Sequence, residues 1–366
     1  MNRLYLTGMI FIMLLALPSC AEKDNAELQV IRVDFDEDES LPLSVIADNI
    51  VAVEPEVTEK SLIGKIQKAL LCNDYIIIHN LSGGRYEIML FDKHGKFIRQ
   101  TGSMGQGPGE FTQIRDLTVD VENELIYVAS ARGLICYDLD GHVVAEASSP
   151  VFSACKYMNH ENGTLQIISE YYGEKDESGA FNRSMLYTVD SDLKVTDSLL
   201  IRKVYLERIM AWIHPFRDFT TQIGKDTYLY FSEQNVESFV RDTLYKVQNH
   251  RLVPSLKLQF KDNGVAADGV KCIYLFNAYR SSRFVFAVYG HDRRSEFYRF
   301  CYDTETGKGY NMKDGYTDDI HGIEERVSLR PFDSDADRFY FFHTRADTDI
   351  SKAEPNPTLY IGTLKK

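Results

Sequence analysis

Six times along this 366-residue chain a pair of strand signatures recurs, and the recurrence limits the fold more than any single residue does. The first member is a turn of Asp, Asn, Gly or Arg running into an aromatic or β-branched burst. It reads Asn73-Asp74-Tyr75-Ile76-Ile77-Ile78, with copies at 124–128, 163–168, 226–231, 283–288 and 337–342. The second member is a short apolar run that usually ends in Asp and a tight turn. It reads Met89-Leu90-Phe91-Asp92-Lys93-His94-Gly95, with copies at 134–141, 185–190, 243–247, 298–303 and 358–362. Copies about 40 to 60 residues apart, all β in character, point to a propeller or array. One such sheet cannot bury both faces alone, whereas a closed ring gives every sheet two neighbours. The expected fold is all-β, a six-bladed β-propeller; an irregular pair of β-sandwiches is the alternative.

The last copy stops three strands into its blade, at Ile361-Gly362-Thr363-Leu364. A spare alternating segment lies near the other terminus, Gln29-Val30-Ile31-Arg32-Val33-Asp34-Phe35. It is expected to complete the last blade, so that the two ends of the chain share one sheet and two open edges disappear. Helix-like apolar spacing occurs only near 201–213 and lacks a clear cap, which predicts a short helix or an irregular loop between blades.

Residues 1–19 read as a signal segment: Arg3 supplies the positive start, and the apolar run 4–17 is too short for a comfortable membrane span. The run ends in Leu17-Pro18-Ser19-Cys20, which resembles a bacterial lipobox, although Pro18 departs from the commonest pattern. Cys20 is then the lipidated residue, 20–28 a polar tether and 29–366 the propeller. A plain secretory signal with a coincidental Cys20 is the other reading. Either way the mature chain leaves the cytoplasm for the cell envelope. The net charge of −13 is spread without a basic stripe, which argues against nucleic acid as a partner. Beyond Cys20 there are five cysteines, an odd number with no Cys-x-x-Cys; buried thiols explain them best, and a single disulfide stays open.

Between the first two repeats stands Gly102-Ser103-Met104-Gly105-Gln106-Gly107-Pro108-Gly109-Glu110-Phe111. The glycines suggest a phosphate loop, but no Lys-Ser/Thr ends the segment and a strand, not a helix, follows at 114–120. Together with Phe91-Asp92-Lys93-His94-Gly95-Lys96-Phe97-Ile98-Arg99 and the upstream Ser61-Leu62-Ile63-Gly64-Lys65-Ile66, it resembles the six-bladed β-propeller lipoproteins abundant in Bacteroidetes, relatives of the NHL-repeat propellers. The close match covers about residues 60–140; later blades match in pattern. The resemblance implies a shape and a place, with no settled activity. Glu22-Lys23-Asp24 is weakly similar to the signals that send such lipoproteins to the outer face of the cell, so the outer membrane is the expected site, facing the periplasm or the surface.

In propellers, loops joining second to third strands share one face with the connections between blades, and ligands bind there. On this chain that face collects 79–85, 129–132, 171–182, 232–241, 289–296 and 343–355 within blades. It collects 102–115, 203–220, 263–271 and 314–325 between them. Long loops on a rigid scaffold concentrate function. The richest set is Tyr171, Tyr172, Trp212, His214, Phe216 and Arg217, with the chain's single tryptophan in the longest insertion. An aromatic beside Arg and His can stack a sugar ring or a peptide side chain; packing of Trp212 and Phe216 against the body is the alternative. The candidate ligand-binding residues are Tyr171, Tyr172, Trp212, His214, Arg217 and, from the tip His291-Asp292-Arg293-Arg294, Arg293.

Asp318-Asp319-Ile320-His321 offers metal-type donors, but such a site needs three or more to converge. Asp333-Ser334-Asp335-Ala336-Asp337 opens like a calcium loop but lacks its glycine and glutamate, so a structural turn is expected. No Gly-x-Ser-x-Gly or His-Glu-x-x-His occurs. No catalytic residue, metal or cofactor is expected. The sequence reads as an envelope lipoprotein acting as a binding or scaffold module for a protein, peptide or glycan, touching the membrane through its lipid anchor only. The rival is a polysaccharide-active hydrolase or lyase with its site at the central channel; a purely architectural role is a third reading.

Overall fold

The computed structural model describes residues 28–34, 38–161, 163–206, 219–232, 237–291, 296–332, 334–344 and 355–366. The repeated signatures become six blades of a β-propeller. Each burst is the second strand of a blade and each apolar run the third. Blade 1 consists, from the axis outward, of Lys65–Cys72, Tyr75–Ser82, Arg85–Asp92 and Phe97–Gln100. Blade 2 runs from Ile114–Asp120 to Val143–Ala147, blade 3 from Cys155–Glu161 to Val195–Tyr205, blade 4 from Thr220–Ile223 to Arg251–Phe260 and blade 5 from Ile273–Arg280 to Lys308–Lys313. Blade 6 contains Arg330–Phe332, Asp335–His343 and Thr358–Leu364.

Why the bursts are continuous rather than alternating follows from the ring. Both faces of a blade meet a neighbour, so successive side chains are all buried, as at Ile76, Ile77 and Ile78. At the rim one neighbour is solvent, and Phe97–Gln100 alternates between half-buried and exposed. Among the described residues the buried apolar side chains fall into six clusters, one in each wedge between adjacent blades. Four cysteines, Cys72, Cys136, Cys155 and Cys301, are buried thiols outside any disulfide, and Cys272 is a half-buried one. Burial pushes the thiols of Cys72 and Cys136 up to about 11.

Blade 6 is completed by a strand from the N-terminal side, but not by the expected one. The closing strand is Ala47–Val53, antiparallel to Thr358–Leu364, with Ala47 opposite Leu364 and Val53 opposite Leu359. Gln29–Val33 instead adds a fifth, parallel strand to the rim of blade 4, with Gln29 beside Leu256 and Val33 beside Phe260. Gln29–Val33 alternates in burial, whereas Ala47–Val53 buries only Ala47, Ile50 and Val53, so the alternation rule favoured the wrong segment. Chain order around the ring decides: the segment runs along blade 4, crosses blade 5 and then closes blade 6. At blade 5 the Glu39 N–H donates to the Asn311 carbonyl at 2.7 Å, and the Lys313 N–H donates to Asp38 Oδ1 at 2.8 Å. Beyond it the Leu43 N–H donates to Thr317 O at 2.9 Å. Leu41, Leu43 and Ile46 are 1 %, 0 % and 1 % exposed, each contributing about 1.5–3 kcal/mol by burial.

The expected helix or loop near 201–213 is also corrected where it can be seen. Residues 201–205 belong to the outer strand Val195–Tyr205 of blade 3. The strand's burial alternates along its length, so the helical spacing there was coincidental. Residues 207–213 lie outside the described residues.

Candidate functional site at the loop-bearing face

The two ends of the ring are unlike. One carries the short turns inside blades, several held by positive-φ residues such as Asn73, Glu124, Asn249 and His250. The other carries the second-to-third loops and the connections between blades. Four contacts show these two loop types meeting. The Tyr86 N–H approaches Met104 Sδ at 3.2 Å, Arg132 donates to the Gln106 carbonyl, Lys271 Nζ donates to the Glu237 carbonyl at 2.7 Å, and His343 Nε2 lies 3.2 Å from Glu325 Oε2.

The Gly-rich segment lies on this face and wraps its own carboxylate. The Gly107 N–H donates to Glu110 Oε2 at 2.7 Å, and the Gly105 N–H donates to the Phe111 carbonyl at 3.1 Å. A Cβ on Gly105 would sit 2.0 Å from Glu110 Oε2, so a side chain there would push the carboxylate out of its place. Gly102 has φ +66°, and a Cβ there would lie 2.6 Å from the Tyr137 hydroxyl. The Gly109 N–H donates to the Glu146 carboxylate, and Tyr137 donates to the Gly109 carbonyl at 2.8 Å. The Gly107 and Gly109 amides, of the kind that cradle a phosphate elsewhere, are thus held by carboxylates. Beside the loop opens a cleft of about 560 Å³, with Arg132, Glu110, Glu146 and Ser148 in its walls.

Blade 3 differs from the others. Its second, third and outer strands, Thr164–Asp176, Gly179–Val189 and Val195–Tyr205, have 13, 11 and 11 residues. In blade 1 the strands have 8, 8, 8 and 4. Past a register shift between Tyr171 and Glu174, the hairpin continues until Asp176 pairs with Gly179, forming a three-stranded flap at the loop-bearing end. One side of the flap carries Tyr171, whose ring lies 4.7 Å from the Arg183 guanidinium and whose hydroxyl is 3.1 Å from that of Tyr187. Burial, then this hydroxyl contact, pushes the Tyr171 phenol up. Arg183 grips Glu174 with two bonds of 2.8 Å, holding its carboxyl below the usual range. Lys203 lies 3.9 Å from the Phe181 ring and bonds Asp176 together with Tyr205; these two contacts lower Asp176 to about 2.

Tyr172 is on the opposite side of the flap. Its hydroxyl donates to Glu170, and its ring lies 5.2 Å from Lys156 Nζ. The two tyrosines therefore do not form one surface. Trp212, His214, Arg217 and Arg293 lie outside the described residues, as do Phe216 and Cys20. Glu170 leads into a buried ionic network that sequence reasoning missed. Arg202, 2 % exposed at its side chain, donates to Glu170 Oε1 at 3.2 Å and to the Ser232 carbonyl at 2.6 Å, and lies 3.8 Å from Glu237 Oε2. Burial pulls Arg202 down to about 10, still cationic at neutral pH. No local signal marks them: the same strands bury Ser169 and half-bury Gln166 and Asp197, so polar residues at inward positions are not distinctive there.

A second buried pair lies on the inner strands. Lys68 of blade 1 meets Asp116 of blade 2 at 3.2 Å and donates to the Met158 carbonyl of blade 3 at 3.3 Å. Asp116 accepts the Met158 N–H at 2.7 Å, so one carboxylate also ties down an edge amide of the neighbouring blade. Asp318, read as a possible metal donor, accepts the N–H groups of His321 and Ile323 at 3.0 and 2.8 Å and so organises its own loop. In the calcium-like segment, Asp335 accepts the Asp337 N–H at 3.0 Å, and Asp337 accepts the Ser282 N–H of blade 5 at 2.7 Å. Among the described residues no three His, Cys, Asp or Glu side chains converge as a metal would require.

Six radial sheets, a strapped rim and one loop-bearing end define the molecule as a six-bladed β-propeller. The chain belongs to the family described as a domain of unknown function, DUF4934, whose model matches residues 28–364. No curated protein matches it. Among solved structures it is similar to a Bacteroides fragilis protein named as an exported protein, at 17 % identity and a TM-score of 0.63, covering 93 % of this chain and 100 % of that one. A DUF4221-family member from Bacteroides vulgatus aligns at 10 % identity and a TM-score of 0.43, covering 87 % and 97 % of the two chains. A Bacteroides caccae protein of unknown function aligns at 11 % and 0.41, covering 80 % and 95 %. At such identities the likeness is one of fold.

Proposed function

We propose that this chain is a cell-envelope lipoprotein of the NHL-like propeller type, anchored at Cys20 to the outer membrane, and that its loop-bearing face is a binding or scaffold module for an envelope protein, peptide or glycan. The blade 3 flap is the observation that carries the binding reading. It extends the sheet beyond the length of blade 1's strands, and one side of it sets Tyr171 against Arg183 and Phe181 against Lys203 and Tyr205. Tyr and Arg are the residues that most often dominate recognition surfaces, and here their rotamers are already fixed by Glu174 and Asp176. The lipobox-like Leu17-Pro18-Ser19-Cys20 and the exported-protein name of the Bacteroides fragilis relative support the envelope location.

Two measurements test this. Mass analysis of the mature N-terminus reports a diacylglyceryl-modified Cys20; an unmodified or differently cleaved terminus overturns the anchor. Immobilised protein is then exposed to solubilised envelope proteins, peptides and glycans. The reading expects a retained ligand whose binding falls at least about tenfold, the loss of one hot-spot side chain, in Tyr171→Ala or Tyr205→Ala. Binding unchanged in both variants and in Trp212→Ala overturns the assignment of this face.

A further inference from the structure

The path of the N-terminal segment fixes where a lipid anchor would leave the ring. Outer strands of the blades run from the short-turn end toward the loop-bearing end. Gln29–Val33 is parallel to the outer strand Arg251–Phe260, so it also ascends toward the loop-bearing end, and its N-terminal end, beside Leu256, points back toward the short-turn side of blade 4. Cys20 is nine positions before Gln29, a reach of about 30 Å when fully extended. That reach is close to the length of the ten-residue outer strand itself, about 33 Å. A bilayer holding Cys20 must therefore lie close to blade 4, whereas blade 1 stands across the axis.

The chemistry of that corner agrees. The short turns of blade 4 expose Lys225 and Arg251, for which no carboxylate partner is seen among the described residues, while Asp226 and Asp197 at the same corner are taken up by Lys246 and His250. The corresponding turns of blade 2 carry Glu122, Glu124 and Asp140. In a chain of net charge −13, blade 4 thus offers a local basic corner beside the strand that leads to the anchor. Lysine and arginine near an anionic leaflet are attracted to it, and acidic turns are repelled.

We infer that the short-turn corner of blade 4 is a membrane-contact surface for anionic lipid headgroups, and that it holds the loop-bearing face and blade 1 away from the bilayer. This rests on the anchor reading above and adds an orientation to it. The test places one fluorophore at Lys225→Cys or at Arg85→Cys, an exposed position at the loop-bearing end of blade 1. Each labelled lipoprotein is bound to phosphatidylethanolamine–phosphatidylglycerol vesicles that carry a headgroup quencher. Quenching several-fold deeper at 225 than at 85 is expected, with the contrast reduced in a Lys225→Cys protein that also carries Arg251→Glu. Equal quenching, or deeper quenching at 85, overturns the orientation. A protein that fails to bind because Cys20 is unmodified counts against the anchor alone. The same two labels on a chain whose residues 1–20 are replaced by hexahistidine, held on nickel-chelating lipid, then judge the orientation independently.

Discussion

The wedge between blades 5 and 6 and the wedge between blades 3 and 4 solve the same packing problem in opposite ways. The first is filled by 18 buried apolar side chains, among them Leu41, Leu43, Ile46 and Ile50 from the strap and Tyr316, Ile323 and Val327 from the connection between blades. Phe341 and Tyr360 stack within it at 4.7 Å. The second, among the described residues, has six, and beside them run the ions Glu170, Arg202 and Glu237. It also opens at the short-turn end into a cleft of about 320 Å³ floored by Leu186, Leu199 and Val247. A ring closes with a largely apolar wedge where two chain segments fill it, and even there the buried Arg299 guanidinium lies beside Tyr316 and donates to Ser328 Oγ at 3.1 Å. Where the flap must stand up on one side, buried charge holds the walls instead. Apolar packing gives stability, whereas the ionic seam gives fixed geometry at a smaller net gain.

Breaking the seam gives the largest expected effect. Arg202→Ala leaves Glu170 buried without its cation, whereas Glu237 keeps Arg241, and is expected to cost about 3–5 kcal/mol in urea unfolding. Restoring neutrality with Glu170→Gln in the same protein recovers part of that loss; no recovery means that packing over Phe231, 4.3 Å from the guanidinium, dominates instead. Leu43→Ala, fully buried in the apolar wedge, follows at about 2–5 kcal/mol. Leu186→Ala removes a similar group beside the open cleft, where water can enter, and is expected at about 2 kcal/mol. Equal losses for the two leucines would erase the contrast between the wedges.

The comparison also explains what could be read in advance. The bursts at 75–78 and 284–288 are continuous because their blades are covered on both faces, so blade number and strand order were legible from pattern alone. Closure by an N-terminal strand was legible, but its identity was not: 29–33 alternates whereas 47–53 buries every third residue, and the path across Asn311 and Thr317 is what assigns the closing strand. The glycine motif was readable as a turn, whereas Glu110 as the group it folds around needed coordinates. Glu110→Gln keeps the shape but removes the charge that accepts the Gly107 N–H, with an expected cost of about 1–2 kcal/mol. Tyr171 and Tyr172 looked like a pair because adjacent residues seem close in sequence, but a strand sends neighbours to opposite faces. Buried ion pairs join residues 32 and 48 positions apart, and no local pattern marks them.

The smallest effect separates a peripheral ion pair from the buried seam. On the short-turn side of blade 5, Arg283 donates to both oxygens of Asp303 at 2.9 and 2.7 Å. These bonds hold the Asp303 carboxyl down to about 2 against the opposing effect of burial. A carboxyl lowered on folding adds stability that is complete above its unfolded value, about 3.9, and fades as pH falls from there toward about 2. Arg283→Met raises the Asp303 pKa and should flatten this part of the stability profile, with little effect on acid sensitivity in Arg202-centred variants. Denaturant midpoints measured at intervals from pH 5 to about 2 provide the check. An unchanged slope in Arg283→Met would mean that this pair contributes geometry without stability.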